Sequence, residues 1–580
     1  MTDKKNNKKR RNNSTLLEKI RELEEKQRFK ENNQLKVLSK STLNKRLIFV
    51  MVFFVSLFMF LILYLVYFQL FKAKTLANDS HNRRLWLNED LVKRGSIYDK
   101  NGNILAYSEK DASGKQIRIY NYPESSAPVT GYSSTTYGKT GIEKSYNRQL
   151  LAISDENFSQ FRKMVVKNDV GNDLHLSLDQ NIQNIVYAYL KSYKGACVIM
   201  DPNTGEVLAM VSTPSFNPNS LDNDWNNLIQ TSDGRLVNRA SQGLYRPGSS
   251  FKIITSASIL DNGIDTSYND EGSETIQGYE IKNYADQVFG NLDLRSAFIN
   301  SANTYFANKS VKLGKDRLSK TSDAFTFNKD YKFDLDKNNS VIPFDDLNEA
   351  DLAMTGFGYG KTQVTPLHMA MISSAIANDG VMMQPRLVDK ITNKDGETIF
   401  EAKNEVLSKA TSEKTANTIR DYMLEVVNSG TGTKAYLDGI QLAGKTGTAD
   451  KAGGNVDAWF VGFAPAYEPK IAFALVIEDS QGTGGEVAAP LARDIVRDIF
   501  NTVSFNWSHK LIFNIRPIMV FIENKLIYFI RRYSDFYFII FCEKFSSIKD
   551  ENSMVIISPR YWYFNTRVIW QNYWTLKCFI

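Results

Sequence analysis

The chain has 580 residues and a formal net charge of +7, and this length allows two or more domains with a sizeable core. Residues 1–46 hold fifteen Lys and Arg against six Asp and Glu, a balance of +9, so the remaining 534 residues carry −2. The basic character therefore belongs to a tail and argues against a nucleic-acid-binding body. Three scattered cysteines give neither a disulfide framework nor a metal-binding spacing, and we expect no cofactor or metal.

The first predicted element is a membrane-spanning helix. Residues 47–68, LIFVMVFFVSLFMFLILYLVYF, carry no charge, and at about 1.5 Å per residue they span roughly 33 Å, enough to cross a bilayer core. A signal-peptide apolar region is the alternative, but it is shorter and begins nearer the N-terminus. Because Lys45 and Arg46 precede the stretch, the positive-inside bias predicts a cytoplasmic basic tail (1–46), one transmembrane helix (47–71) and an extracytoplasmic remainder in the cell membrane.

The next region, residues 72–173, is predicted to be a small irregular domain. It contains RGSIYDKNGNILAYSEK from Arg94, which predicts two short strands around an Asp-Lys-Asn-Gly-Asn turn. Polar and glycine-rich segments follow.

Residues 174–503 show sharper patterning. LDQNIQNIVYAYLKSY has helical spacing, and GACVIMDPNTGEVLAMVS reads as a hairpin. DAWFVGFAPAYEPKIAFALVIED repeats the hairpin pattern near the end, before a helical AAPLARDIVRDIFN. We therefore predict an α+β domain, an antiparallel sheet flanked by helices.

Residues 504–580 change in character. They are crowded with aromatic residues and Ile, with Arg and Lys interrupting every apolar run before it reaches spanning length. We interpret them as an atypical tail outside the functional fold.

The tetrapeptide GKTG occurs twice, and its second copy raises a rival enzyme class. Gly439–Thr446 satisfies the phosphate-loop pattern G-x-x-x-x-G-K-[ST]. That reading needs a helix after the loop to hold phosphate, but GTADKAGGNVDAWF follows and does not open a helix. The first copy, Gly138–Gly141, is interpreted as structural.

A nucleophile is predicted at Ser249 instead. Ser249-Ser250-Phe251-Lys252 forms an S-x-x-K pattern after Pro247-Gly248 and before an apolar helical run. Residues three apart share a helix face, so Lys252 can lie beside the Ser249 hydroxyl. A lysine acts as a base only when burial or a second ammonium lowers its pKa. The four histidines are scattered, so a nucleophile working without histidine is expected.

Two further motifs strengthen this prediction. Ser301-Ala302-Asn303 forms S-x-N, and Lys445-Thr446-Gly447 lies on a strand-like segment before the last hairpin. The three motifs, in this order and in these contexts, are those of penicillin-binding proteins and class A β-lactamases.

Residues 72–503 resemble the class B penicillin-binding proteins, membrane-anchored peptidoglycan D,D-transpeptidases. The resemblance extends to RGSIYDKNGNILA, a pedestal motif, and to VIMDPNTGEVLAMVSTPSFNPN, RPGSSFK, GFGYGKTQVTPLHMA and AWFVGFAP. It implies a penicillin-binding transpeptidase domain (174–503) on an N-terminal pedestal (72–173).

The resemblance also implies a mechanism. Ser249 would attack the penultimate D-Ala of a stem peptide ending in D-Ala-D-Ala, and Lys252 would take its proton. Ser301, with Lys445, would pass a proton to the leaving nitrogen. β-Lactams, which mimic D-Ala-D-Ala, would acylate Ser249.

The remaining predicted site residues bind substrate. Asn303 would hold the peptide amide, and Lys445, Thr446, Gly447 and Thr448 would bind the terminal carboxylate and one edge of the peptide. Backbone N–H groups of Ser249 and Thr448 would form the oxyanion hole.

Other functions on the same fold remain as alternatives. A β-lactamase needs a group that activates a deacylating water; NEADLAMTG offers Glu349 but lacks the Asn of the E-x-x-L-N motif. A D,D-carboxypeptidase would hydrolyse the acyl-enzyme, and a β-lactam-binding sensor would tolerate damaged motifs. A bifunctional synthase would need a glycosyltransferase domain whose E-D-x-x-F-x-x-H pattern is absent, so the resemblance implies a SEDS-family glycosyltransferase as partner.

Overall fold

The structure is a computed structural model with two compact units, Met1–Arg83 and Arg84–Ile580. The first unit holds helices α1 (Asp3–Leu35) and α2 (Lys40–Tyr67), and α2 runs into a π-helical turn at Phe68–Lys72. Among the described residues, one helical span, Lys45–Lys72, is long and apolar enough to cross a membrane, so an apolar helix is present at the predicted position. The structure describes residues 3–35, 40–72, 92–112, 116–153, 170–451, 453–505, 518–522, 525–532 and 535–540.

The second unit begins with a small domain of short elements. β1 and β2 pair antiparallel with Tyr98 opposite Ile104, which confirms the predicted hairpin. The Asp99 carboxylate accepts the backbone N–H groups of Asn101 and Asn103 at 2.9 and 2.7 Å, and this closes the turn. The elements are β1 (Ile97–Tyr98), β2 (Ile104–Lys110), β3 (Gln116–Tyr120), α3 (Pro123–Thr130), β4 (Ser133–Ser134), β5 (Gly138–Lys139), α4 (Gly141–Ser145) and α5 (Asn147–Leu150).

A buried ion cluster holds this small domain together. Glu143, fully buried, accepts Nε of Arg94 at 2.5 Å and Nε of Arg118 at 2.7 Å. Burial alone would raise the pKa of Glu143, but the two guanidinium groups lower it further than burial raises it. The first GKTG therefore leads into a structural segment, in agreement with its interpretation from sequence.

A larger α+β region follows, as predicted. Its helices are α6 (Gln180–Leu190), α7 (Leu221–Gln230), α8 (Arg239–Gln242), α9 (Lys252–Asp261), α10 (Leu294–Asn300), α11 (Asn303–Leu313), α12 (Lys315–Ala324), α13 (Glu349–Gly356), α14 (Pro366–Ala377), α15 (Glu413–Ser429) and α16 (Ala489–Thr502). Its strands are β6 (Asp173–Leu176), β7 (Gly195–Met200), β8 (Val207–Thr213), β9 (Tyr268–Asp270), β10 (Ser273–Ile276), β11 (Tyr279–Lys282), β12 (Gly290–Leu292), β13 (Val381–Met383), β14 (Val388–Thr392), β15 (Thr398–Glu401), β16 (Val406–Lys409), β17 (Ala443–Asp450), β18 (Val456–Ala464) and β19 (Ile471–Ser480).

The central sheet has five antiparallel strands in the order β17-β18-β19-β7-β8. Both predicted hairpins, β7–β8 and β18–β19, are present. Side chains alternate between two cores because successive residues of a strand face opposite sides. Val198 packs into the core that contains α14, whereas Cys197 and Ile199 pack into the core that contains α6 and α16. The order leaves β17 at an edge.

A second sheet joins the small domain to the larger region, with strand order β15-β14-β6-β1-β2-β3. β1 and β6 pair parallel, with Ile97 opposite Leu174, and β6 pairs antiparallel with β14. The predicted domain boundary after residue 173 therefore falls inside β6.

Three strands follow in the C-terminal segment, where the sequence indicated no regular period. They are β20 (Ile518–Ile522), β21 (Lys525–Arg532) and β22 (Asp535–Ile540). They form an antiparallel sheet of their own. The rest of the predicted tail beyond residue 505 lies outside the described residues.

Candidate active site

Ser249 lies in a 3₁₀ turn, Gly248–Phe251, which leads directly into α9 at Lys252. The two adjacent serines differ sharply. Ser250 is buried and donates its hydroxyl to Pro247 O at 2.7 Å. Ser249 is partly exposed, and its hydroxyl takes part in none of the hydrogen bonds among the described residues. The turn thus presents one free hydroxyl on a fixed backbone.

Gly248 allows this turn to lie directly against the edge strand β17. Its φ is +53°, and an added Cβ would lie 2.9 Å from Thr448 N and closer still to Thr448 O. Both backbone polar atoms of Thr448 therefore face the turn. Only glycine fits here, because the approach is too close for a side chain and the φ is left-handed. The arrangement brings the backbone N of Thr448 close to Gly248, the residue that precedes Ser249.

Lys252 is fully buried, and its amine lies among three oxygens. Nζ donates to Ser301 O at 2.7 Å, to Asn303 Oδ1 at 2.8 Å and to Ser301 Oγ at 3.1 Å. The first two oxygens can only accept, so in the neutral amine they would take both N–H bonds. The lone pair of the neutral amine would then remain available to a hydroxyl group.

Ser301 lies between two buried lysines. Its Oγ accepts from Lys252 Nζ at 3.1 Å and from Lys445 Nζ at 3.0 Å. It ends α10 in a left-handed conformation, with φ 59° and ψ 40°, before α11 begins at Asn303. This conformation is uncommon for a residue other than glycine and is concentrated at functional sites. It allows the carbonyl and hydroxyl oxygens of Ser301 to reach the same amine.

Both lysines have lowered pKa values. Burial, and then the charge of Lys445, lower the pKa of Lys252 well below the usual value of a lysine. Burial lowers the pKa of Lys445 to about 7. Each amine lies near an aromatic face instead of a carboxylate: Lys252 Nζ is 5.4 Å from the Phe306 ring centre and Lys445 Nζ is 5.6 Å from that of Phe298. These surroundings disfavour the charged form of Lys252.

Asn303 is held by contacts at both ends of its amide. Its Oδ1 accepts from Lys252, and its Nδ2 donates to Lys282 O at 3.0 Å. The second N–H of Nδ2 has no acceptor among the described residues. Its backbone N–H donates to Asn283 Oδ1 at 2.7 Å, and Asn283 Nδ2 in turn donates to the buried Asp270 carboxylate at 2.9 Å.

The second GKTG lies on β17, the predicted strand. Thr446 and Thr431 share a hydrogen bond between their hydroxyls at 2.7 Å, and Thr448 Oγ1 accepts the Gly484 N–H at 3.1 Å. An added Cβ on Gly447 would lie 2.6 Å from Pro247 O, so this glycine also lets strand and turn meet. All eight predicted site residues thus lie on three segments that contact one another.

The structure adds residues that sequence reasoning missed. Tyr359 donates its hydroxyl to Thr448 O at 3.0 Å and to Asp450 Oδ2 at 3.2 Å. The glycine-rich sequence around it, GFGYG, predicts a turn that supports the site. The structure agrees, since the Gly248 N–H donates to Gly358 O at 3.0 Å. Asp270 and Asn283 belong to no recognisable sequence motif, because their contacts join segments that are distant in sequence.

Two family models match the chain. The model of the penicillin binding protein transpeptidase domain matches residues 195–497. The model of the penicillin binding protein A dimerisation domain matches residues 94–172. The first match contains all eight predicted site residues, and the second covers the small domain with the buried Glu143.

Relatives agree over most of the chain. The peptidoglycan D,D-transpeptidase PbpA of Mycolicibacterium smegmatis is 31% identical over 464 residues, 73% of this chain and 92% of the relative. The D,D-transpeptidase domain of a peptidoglycan glycosyltransferase from Eggerthella lenta is 38% identical, with a TM-score of 0.65 over 71% of this chain and 99% of that one. Penicillin-binding protein A from M. tuberculosis, as an imipenem acyl-enzyme complex, is 30% identical, with a TM-score of 0.66 over 70% of this chain and 99% of that one.

Proposed function

The chain belongs to the penicillin-binding protein transpeptidases, and we propose that Ser249 is the residue through which it reacts. It is a peptidoglycan D,D-transpeptidase of cell wall synthesis, which cross-links stem peptides through an acyl-serine intermediate and is a target of β-lactams. The observation that carries the assignment of roles is the Ser301 hydroxyl, which accepts hydrogen bonds from two buried lysines.

Acylation begins at Ser249. Its Oγ attacks the carbonyl carbon of the penultimate D-Ala, and its proton passes to the neutral amine of Lys252. The carbonyl oxygen becomes an oxyanion, which the N–H groups of Ser249 and Thr448 stabilise as its charge develops. The closeness of Thr448 N to Gly248 supports this pairing.

The leaving group needs a proton as the C–N bond breaks. The hydroxyl of Ser301 lies within 3.1 Å of Lys252 Nζ and within 3.0 Å of Lys445 Nζ. It can therefore pass a proton from Lys252 to the nitrogen of the terminal D-Ala. Lys445, Thr446, Gly447 and Thr448 bind the terminal carboxylate, and the free N–H of Asn303 holds the peptide amide.

The second step releases the enzyme. The amine of a neighbouring stem peptide attacks the ester carbonyl, loses its proton to Lys252 along the same path and forms a new amide, and Ser249 Oγ regains its proton. Hydrolysis would replace that amine by water and give a D,D-carboxypeptidase. The relatives described above are named D,D-transpeptidases, which supports an amine, and not water, as the acceptor.

The test is covalent labelling of the full chain in detergent by a fluorescent penicillin. We expect one stable adduct on the wild type and none on S249A. The matched control is S250A, the neighbouring buried serine, which should keep its adduct. Labelling of S249A at the wild-type rate would overturn the assignment.

A second measurement separates transfer from hydrolysis. Glycan strands with pentapeptide stems should yield released D-Ala and cross-linked dimers in equal amounts. Released D-Ala without dimers would instead indicate a D,D-carboxypeptidase. Labelling by penicillin without released D-Ala or dimers would indicate a β-lactam-binding sensor.

We further propose a single-pass topology with residues 1–46 in the cytoplasm, residues 47–71 in the membrane, the small domain at 72–173 and the transpeptidase domain at 174–503 outside it. The apolar span Lys45–Lys72 supports the anchor, and the basic tail supports the orientation. Protease added to intact protoplasts should digest the transpeptidase domain and spare an N-terminal tag. The reverse pattern would contradict the orientation.

The matched family domains include no glycan polymerase, so we propose a SEDS-family glycosyltransferase as the membrane partner. The transmembrane helix is the contact that this partner requires. Co-purification from membranes should be lost when residues 47–71 are replaced by an unrelated spanning helix. Undiminished co-purification would contradict a contact through that helix.

A further inference from the structure

Helix α11, which begins at Asn303, has no cap from the residue that precedes it. That residue is Ala302, whose side chain makes no hydrogen bond to the helix end and has no group that could make one. The N–H groups in the first turn of a helix have no acceptor within the helix and need one elsewhere. Because Ala302 is the middle residue of the S-x-N motif, the motif itself leaves this helix end open.

Asn283, twenty residues earlier in the chain, supplies the missing cap. Its buried side chain accepts the N–H of Asn303 at 2.7 Å and that of Thr304 at 3.2 Å, both through Oδ1. The residue before it, Lys282 at the end of β11, accepts Nδ2 of Asn303 at 3.0 Å through its carbonyl oxygen. Two consecutive residues therefore hold Asn303 by its backbone and by its side-chain amide.

Asp270 fixes the orientation of the Asn283 amide. Nδ2 of Asn283 donates to Oδ2 of Asp270 at 2.9 Å and to the carbonyl oxygen of Gln287 at 3.0 Å. If the amide turned over, its NH₂ group would face two N–H groups and its oxygen would face two acceptors. Only the observed orientation satisfies every partner, so the cap on α11 depends on the carboxylate behind it.

The Asp270 carboxylate is itself held by fixed donors. It is buried and forms no ion pair with any residue that the structure describes. Besides Asn283, it accepts the Thr304 hydroxyl at 2.6 Å and the Phe289 N–H at 2.7 Å. A buried carboxylate without a cation requires such donors, and the N-terminal end of a helix favours an anion. Asp270 is therefore a rigid support for the start of α11.

This series of contacts ends at the proposed base. Asn303 Oδ1 accepts from Lys252 Nζ at 2.8 Å. In the proposed function, on which this inference rests, Lys252 takes the proton of Ser249. A misplacement of about 1 Å in such a site can cost about a hundredfold in rate, so whatever holds Asn303 affects the reaction.

We propose that Asn283 and Asp270 are positioning residues of the acylation reaction. Asn283 caps α11 and holds Asn303 against Lys252, and Asp270 keeps the Asn283 amide in the orientation that this cap requires. Both residues act through Asn303 and lie outside the three motifs.

A double-mutant cycle tests the contact between Asn283 and Asn303. The measured quantity is the second-order rate of penicillin acylation by the full chain in detergent. N283A should lower this rate by at least about tenfold, because the cap that positions Asn303 is lost. In a chain that already carries N303A, the same change should lower it by no more than about threefold, since no side chain is left to position. The same factor of loss in both backgrounds would overturn the proposal.

A cap in another part of the fold provides the matched control. Asp179 is buried, and its carboxylate accepts the Asn181 N–H at 2.9 Å at the start of α6. That helix packs in the core that contains α16. D179A should lower the unfolding midpoint and keep the acylation rate within about twofold of the wild type. A loss as large as that of N283A would show that any lost cap suffices, and it would overturn the positioning role.

An exchange of the two side chains tests Asp270, and it also serves if N283A is too unstable to measure. N283D places two carboxylates face to face, where they repel each other, and should lower the acylation rate by about a hundredfold. Adding D270N restores one amide and one carboxylate with their places exchanged, and Asp at position 283 still accepts the N–H groups of α11. This double variant should recover at least about tenfold of the loss. A double variant no faster than N283D would overturn the role of Asp270.

Failure of the proposed function would give a different result. Absence of a Ser249 adduct on the wild type would overturn that function. A normal adduct on the wild type, with equal losses in both backgrounds of the cycle, would overturn only the positioning role.

Discussion

Lys252 makes the contacts that its proposed role as a base requires. Its amine donates to Ser301 O and Asn303 Oδ1 at 2.7 and 2.8 Å, both of which only accept, and it forms no ion pair with a carboxylate in the part of the chain that the structure describes. The lowered pKa values carry a cost in folding. Between pH values of about 7 and 10.5, the unfolded chain binds a proton at Lys445 that the folded chain lacks. This contribution to stability therefore rises with pH over that window.

The acylation rate should consequently follow a bell-shaped pH profile. It should fall at low pH as Lys252 gains a proton, and it should fall above about pH 7 as Lys445, whose pKa is lowered to about 7, loses the charge that binds the carboxylate. K252R should lower the rate by at least about a hundredfold, because a guanidinium cannot act as the base. The measurement is the second-order rate of penicillin acylation from pH 5 to about 9.

A buried lysine outside the site provides the control for that prediction. Lys309 on α11 is fully buried and donates to Asp265 O and Ser267 O at 2.6 and 2.7 Å. K309R should keep the profile and most of the rate. An equal loss of acylation rate in K252R and K309R would show that disturbed packing, and not the loss of a base, causes the effect.

At the scale of elements, the site depends on three backbone segments that meet without side chains between them. The nucleophile turn lies against β17 through Gly248 and Gly447, and the turn that contains Gly358 lies against Gly248. These close contacts place the backbone N of Thr448 against Gly248, which precedes Ser249. Because β17 is an edge strand, one of its edges has no neighbouring strand. The nucleophile turn packs there, and the proposed substrate would bind along the same edge.

G248A should separate packing from backbone strain. The added methyl group displaces β17 from the turn, so we expect a loss of about a hundredfold in acylation rate together with lower stability. G263A is the matched control, since Gly263 has φ +61° and its added Cβ meets nothing within 4 Å. It should cost about 1–2 kcal/mol in unfolding free energy and leave acylation unchanged. Similar acylation rates in the two variants would contradict the close-approach argument.

At the scale of the whole molecule, the catalytic region ends with α16. Ile495, Val496 and Ile499 of this helix are buried in the core beneath the central sheet, and Phe505 packs against Phe500 with ring centres 4.8 Å apart and ring planes tilted by 38°. The transpeptidase match ends at residue 497, and β20–β22 pair only with one another among the described strands. We therefore propose that the segment beyond Phe505 is dispensable, close to the sequence-based boundary at residue 503.

Two truncations test this proposal. A chain ending at Phe505 should keep its penicillin acylation rate within about twofold and its unfolding midpoint, because it loses no buried core residue of α16. A chain ending at Asp494 should be strongly destabilised, since it loses three buried aliphatic side chains worth about 1.5–3 kcal/mol each. Loss of acylation in the longer chain would show that the tail belongs to the functional unit.

The sequence alone was sufficient for several features that depend on local pattern. An uncharged run of spanning length predicts α2, alternating apolar residues predict the hairpins β7–β8 and β18–β19, and fixed spacings mark Ser249-x-x-Lys252 and Lys445-Thr446-Gly447. Each of these is encoded in neighbouring residues, because helix and strand periods and short motifs are local properties of the chain.

The tertiary structure decided what depends on approach between distant segments. It joined Ser301 to both lysines, Tyr359 to Thr448 and Asp450, and Asp270 through Asn283 to Asn303. It also extended the sheet of the small domain into β6 and β14. Burial, and the lowered lysine pKa values that follow from it, arise only when segments more than a hundred residues apart exclude water together.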